Sequence, residues 1–259
     1  MTRPLAGIVL TTFALPLVLG ASSCAAPAAP AGPVFPMTSQ TIDAATAPRV
    51  RAQVEQGRAD VEAFFGEPFT EPVQILLLPD RAAFTGSFPA EWGMTQTQCW
   101  MVAAGVADTL HLLSPRAWAD EACEHDANDE RHVQGIVTHE LAHCFHMQRN
   151  PTRDGTGLEP MGWFVEGLAV YVSGQLEEGH QLPARDAVEK GVEPKQLVDG
   201  WSGPYRYGVS GSLVQYVDLT WGREVLRDLL AVTSEAELLG VLGVTEEQLL
   251  TDWRAFVLR

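Results

Sequence analysis

His139-Glu140-Leu141-Ala142-His143 sits inside the stretch DERHVQGIVTHELAHCFHMQRNP, residues 129–151. Val133, Ile136, Val137, Leu141 and Phe145 recur at helical spacing along it. Asn150-Pro151 ends the pattern, because a residue before proline avoids the α region. The stretch predicts a helix over 129–148, and it divides the chain. Upstream, Ile42 to Phe65 has helical spacing and stops at Gly66 and Pro68. Val73–Leu78 is an apolar run closed by Pro79-Asp80, and Trp100–Val106 and Thr109–Leu113 read as two further strands with a turn near Gly105 and Asp108. Downstream the pattern is helical over 161–176, 210–220, 224–231, 235–239 and 245–258. The expected class is α+β, a small N-terminal mixed sheet with a helix, then a mainly helical part. No internal repeat is present.

The spacing within the central helix carries chemistry. Residues four apart on a helix stand about 40° from one another around its axis. Two imidazoles so placed can bind one ion, and Glu140 lies close enough to act on water held there. Zinc hydrolases use this spacing for that reason. Zinc needs a third protein ligand and an open position. Glu166 is the candidate, in Gly162-Trp163-Phe164-Val165-Glu166-Gly167-Leu168-Ala169, because an unpaired carboxylate in an apolar helix is costly and a metal would satisfy it. The expected cofactor is therefore Zn2+, held by His139, His143 and Glu166. Glu140 is the expected general base: it takes a proton from water and passes it to a leaving nitrogen. His146 shares a face with His139 and reads as a lining or capping residue, with ligation the lesser alternative. Cys144 points away and reads as packing, as does Trp163. His111, His125, His132 and His180 have no partner spacing and read as surface or core-edge residues.

H-E-x-x-H, then 166 − 143 = 23 residues, then an aromatic-apolar-x-E-G-x-A segment resembles the gluzincins, the thermolysin-like zinc metallopeptidases, and is similar to the bacterial peptidase MA-like domains. Tyr207, Ser212-Leu213-Val214-Gln215-Tyr216, Leu242-Gly243-Val244-Thr245 and Trp253 extend the likeness over about residues 40–257. The resemblance implies a zincin-like fold and hydrolysis of peptide bonds in a peptide or protein substrate. It also implies that a downstream tyrosine donates to the oxyanion; Tyr207 matches that place better than Tyr205. The strand pair near 100–113 would bind an extended peptide by edge pairing. Two departures stand out. Val170 occupies the place of thermolysin's second aspartate, so another group must orient the ligand histidines, and the aminopeptidase signature G-x-M-E-N is absent. Two alternatives stay open: a catalytically silent zincin-fold binding lipoprotein, and a zinc amidase acting on cell-wall peptides.

The ends and the charge complete the reading. Arg3 followed by the apolar 5–20 reads as a signal peptide over residues 1–23. The segment ending at Cys24 resembles a bacterial lipoprotein signal, so the protein is expected outside the cytoplasm, secreted or lipid-anchored at Cys24. Ala- and Pro-rich residues 24–37 read as a tether to a folded domain over 38–259. Of the remaining cysteines, Cys99 and Cys123 lie outside predicted helices and are the expected disulfide. The acidic residues from Asp120 to Glu130 read as a solvated loop. A formal charge of −16 argues against a nucleic-acid partner, since phosphate binding needs a basic footprint. No partner chain is called for, and a monomer is expected.

Overall fold

The computed structural model describes residues 33–177 and 182–259. The signal peptide, Cys24, most of the tether and His180 lie outside the described residues. Four short strands, β1 (Met37–Thr38), β2 (Gln74–Leu78), β3 (Ala103–Val106) and β4 (Thr109–Leu113), form one mixed sheet in the order β1-β2-β4-β3. β1–β2 and β2–β4 are parallel and β3–β4 antiparallel. The described helices are α1 (Ala47–Phe65), α2 (Arg81–Gly86), α3 (Trp118–Glu121), α4 (Glu130–Met147), α5 (Gly162–Val172), α6 (Ala184–Glu189), α7 (Arg206–Trp221), α8 (Arg223–Asp228), α9 (Glu235–Leu242) and α10 (Glu246–Val257). The class is α+β, a small sheet with a mostly helical remainder.

α4 is the axis of the core. Its N-cap, Asp129, accepts from the His132 backbone N–H. Val133, Val137, Leu141 and Phe145, each four residues apart, are fully buried. Phe145 stacks on Phe65 of α1 with ring centroids 4.5 Å apart, and Phe69 meets it edge-on. At about 100° per residue, the His139–His143 face points roughly the opposite way. Gln148 ties the end of α4 to the sheet side, its amide donating to the Glu71 and Ala107 carbonyls.

α5 rests on α7 through small residues. A Cβ on Gly167 would lie 2.3 Å from the Ser210 carbonyl oxygen, so only glycine permits this approach. Glu166 is the preceding residue on α5, which also packs on α4.

Several boundaries differ from the sequence expectation. Packing begins at Phe35, buried against Phe69, ahead of Thr38. The first helix starts at Ala47 rather than Ile42, because the ring of Pro48 clashes with a preceding helical carbonyl and Thr41–Asp43 turns separately. β3 starts at Ala103 rather than Trp100: Arg81 donates to the Gln98, Cys99 and Met101 carbonyls and holds that segment as a turn. α5 ends at Val172, where Gly174 takes φ 75° and residues Gln175–Glu177 form a separate turn. α2 was not anticipated; Asp80 closes the preceding strand and caps α2 by accepting from Ala83 N–H.

Candidate metal centre

His139 and His143 extend from the flank of α4 that faces the cavity, largely buried, and Glu166 from the facing side of α5. The two imidazole Nε2 atoms are 3.1 Å apart. Glu166 Oε2 lies 3.4 Å from the first and 3.5 Å from the second. Ligand atoms about 2.0–2.2 Å from a tetrahedral zinc stand about 3.3–3.6 Å from one another. The two distances to Glu166 fall within that range and the imidazole pair is slightly closer, so the three atoms stand near the spacing of three corners of such a tetrahedron. Two imidazoles and one carboxylate form a donor set used in catalytic zinc sites, which keep the fourth corner for water or substrate.

The charges at this point also suit a cation. Burial would raise the Glu166 carboxyl, but His143 and His139 outweigh it and hold it well below the usual carboxylate range. Burial would lower the His143 imidazole; the charge and hydrogen bond of Glu166, with the Glu140 charge, hold it up at about 9. A half-buried ionised carboxylate thus draws positive charge onto the imidazole beside it.

The group that orients His139 is Gln175. Its Oε1 accepts from His139 Nδ1 at 2.9 Å, which leaves Nε2 to face Glu166 and His143. The break in α5 at Gly174 is what turns Gln175 toward α4.

Glu140 is positioned by the sheet. Its Oε2 accepts from the Gly105 backbone N–H at 2.7 Å. Gly105 packs so tightly here that a Cβ would fall 2.1 Å from the Glu140 carbonyl oxygen. In the antiparallel β3–β4 pair, Val102 accepts from Leu113, so Val102, Ala104 and Val106 point their backbone groups inward to β4. Ala103 and Gly105 then point theirs to the free edge. Gly105 spends its N–H on Glu140, and the Ala103 groups run along the cleft.

These residues line a cavity of about 590 Å3, with Tyr207, Arg206, Trp201, Met147 and Asp154 completing its walls. Tyr207 meets Trp201 edge-on at 4.8 Å. Burial raises the Tyr207 phenol above its ordinary value, the neighbouring Arg206 opposing and Glu166 and Glu140 adding to it. The phenol is therefore a protonated donor across the neutral pH range. Tyr205 lies elsewhere, its hydroxyl 2.8 Å from Lys190 Nζ beside a different cavity.

A smaller chamber of about 110 Å3 adjoins the first, sharing His139, Glu140 and Tyr207. His125 and His132 line it, their nitrogens 2.9 Å apart, with His125 Nε2 donating to the Trp100 carbonyl at 2.7 Å. Both are half-buried, in keeping with core-edge residues, and they meet one another because the turn fixed by the Cys99–Cys123 disulfide carries His125 back over the N-terminal turns of α4. The expectation for His146 is corrected. It is buried, belongs neither to the ligand group nor to the cavity walls, and packs edge-on against Phe164. Burial pushes its imidazole down to about 3, so it is neutral. Cys144 and Trp163 are fully buried packing residues, as expected.

Compared with protein-family models, with curated proteins and with solved structures, the chain matches none.

Proposed function

We propose that this protein is a zinc-dependent metallopeptidase that hydrolyses peptide bonds in a peptide or protein substrate. One observation carries the reading: three ligand atoms of His139, His143 and Glu166 stand near tetrahedral spacing beside a carboxylate, Glu140, that is not one of them. A purely structural ion would not require that fourth group. A small sheet whose edge strand flanks an H-E-x-x-H helix, followed by a glutamate helix, also agrees with the gluzincin-like fold that the sequence resembles.

When bound, zinc supplies Lewis acidity, which acidifies water to near neutrality and polarises a carbonyl. The chain supplies the rest. The Gly105 N–H fixes one oxygen of Glu140 and leaves the other to take a proton from water and return it to the leaving nitrogen. Tyr207, protonated and on the cavity wall, donates to the oxyanion. The outward N–H and C=O of Ala103 pair with an extended peptide along the free edge of β3. Gln175 keeps His139 Nε2 aimed at the centre. The apparent signal peptide puts this activity outside the cytoplasm, and the Cys99–Cys123 disulfide suits an oxidising compartment.

The test is a peptide-library digest by zinc-loaded wild type and Glu140→Gln, with zinc measured in both. Wild type should cleave and the variant should hold zinc but cleave poorly. Equal cleavage by both proteins would refute the role of Glu140, and no cleavage by wild type would favour the binding lipoprotein.

A further inference from the structure

The cavity wall carries a cation that the hydrolytic reading does not use. Arg206 is the first residue of α7 and lines the same cavity as His139, Glu140, His143 and Glu166. Its guanidinium carbon lies 5.6 Å from the Trp201 ring centroid and 5.1 Å from that of Tyr207. Those two rings brace one another edge-on. Cation–π contact of this kind holds the charge in place without satisfying its N–H groups. A guanidinium has five N–H donors, which ring contacts leave available to an acceptor. Among the described residues no carboxylate pairs with Arg206, whereas Arg116, Arg153 and Arg223 each hold one. In a chain with 33 acidic and 17 basic residues, a half-buried arginine left to aromatic partners at a cavity wall is a placed charge.

The other charged walls of the cavity are acidic: Glu140, Glu166 and Asp154. Away from the His139–His143–Glu166 position, where a bound zinc ion would itself attract an anion, Arg206 is the one arginine or lysine among the residues that line this cavity. A planar fork of N–H donors matches a carboxylate in two parallel hydrogen bonds. We propose that Arg206 makes this cleft selective for peptides that carry a carboxylate near the scissile bond. That carboxylate is either the free C-terminus of the substrate or an aspartate or glutamate side chain within it. The inference rests on the peptidase reading and deepens it by naming a substrate class.

The test uses four synthetic peptides of one parent sequence: free C-terminal acid, C-terminal amide, and internal glutamate or glutamine in an amidated frame. Binding is followed by fluorescence anisotropy on zinc-loaded Glu140→Gln protein, and kcat/KM on wild type. One acid-to-amide pair should favour the acid by about tenfold or more, as charge-assisted pairing in a partly desolvated site allows. Whichever pair responds identifies the source of the carboxylate. Adding Arg206→Gln should collapse that ratio toward one, and Arg206→Lys should restore part of it, with zinc content unchanged in both. No acid preference in any pair, no binding of any peptide, or a preference that survives Arg206→Gln would overturn the proposal. An equal fall for both members of the pair would overturn it too, since Arg206 would then act only through Tyr207. Should wild type cleave nothing, the hydrolytic reading fails while the binding ratios still judge Arg206. If Arg206→Gln does not fold, Arg206→Met, which keeps an apolar stem against Trp201 and Tyr207, takes its place, and an acid preference that survives it overturns the proposal.

Discussion

Gly105→Ala tests how the sheet positions the base. The new Cβ would sit 2.1 Å from the Glu140 carbonyl oxygen, 2.8 Å from its carbonyl carbon and 3.1 Å from its Cα. To regain an ordinary 3.4 Å contact with that oxygen, β3 and α4 must separate by 3.4 − 2.1 = 1.3 Å. Both are backbone, so no flexible side chain can yield. α4 is held by Val137, Leu141 and Phe145 on its buried face and β3 by its pairing to β4. Overpacking of this kind costs about 1–3 kcal/mol, and at about 2–4 °C per kcal/mol for a chain of this size the Tm should fall by roughly 2–12 °C. The separation also breaks the Gly105–Glu140 hydrogen bond of 2.7 Å. A base displaced by about 1 Å loses on the order of 100-fold in rate. Zinc content should stay near that of wild type, because the three atoms nearest the new methyl all belong to Glu140 and not to a ligand. The assay is differential scanning fluorimetry, metal analysis and kcat/KM on one preparation. Gly240→Ala is the control: it lies on an exposed turn of α9 with nothing within 4 Å of a new Cβ, and it should stabilise by about 0.5–1 kcal/mol. A Gly105→Ala protein with wild-type Tm and turnover would refute the argument that β3 sets the position of Glu140.

Tyr207→Phe should lower kcat by roughly 100-fold or more with zinc retained, while Tyr205→Phe, whose hydroxyl serves Lys190, should be close to wild type; full kcat in the first would move the oxyanion role elsewhere. Gln175→Ala should weaken zinc about 10–100-fold in a competition titration against a chelating dye, by freeing His139 Nδ1, and unchanged affinity would deny it the orienting role. Replacing Cys99 and Cys123 with serine should destabilise by about 2–4 kcal/mol in denaturant unfolding, and an unchanged midpoint would show that Arg81 alone holds the turn.

What could be read in advance was what local spacing carries. The H-E-x-x-H helix, its proline stop, the strands at 74–78 and 109–113 and the apolar helix around Glu166 all follow from patterns a few residues long. The parts that were not legible join distant segments. Gly105 reads as a turn residue, and only the approach of β3 to α4, 35 residues on, makes it the partner of Glu140. Gln175 reads as the tail of a helix, and the left-handed Gly174 re-aims it across 36 residues of chain to His139. α7 begins at Arg206 without a capping side chain at Tyr205, so no local signal marks its start or singles out Arg206 beside Tyr207. His125 and His132 lack ligand spacing; they meet because the Cys99–Cys123 turn folds one over the other.

The central claim is that one zinc ion at His139, His143 and Glu166, with Glu140 beside it, cleaves peptide bonds. The direct measurement is the initial rate of peptide cleavage by chelator-stripped protein as zinc is added back. Cleavage should be absent at zero zinc, rise linearly to a break at one equivalent per chain, and stay flat for Glu140→Gln across the same titration. Full activity in the stripped protein, or a wild-type line as flat as that of Glu140→Gln, would contradict the claim.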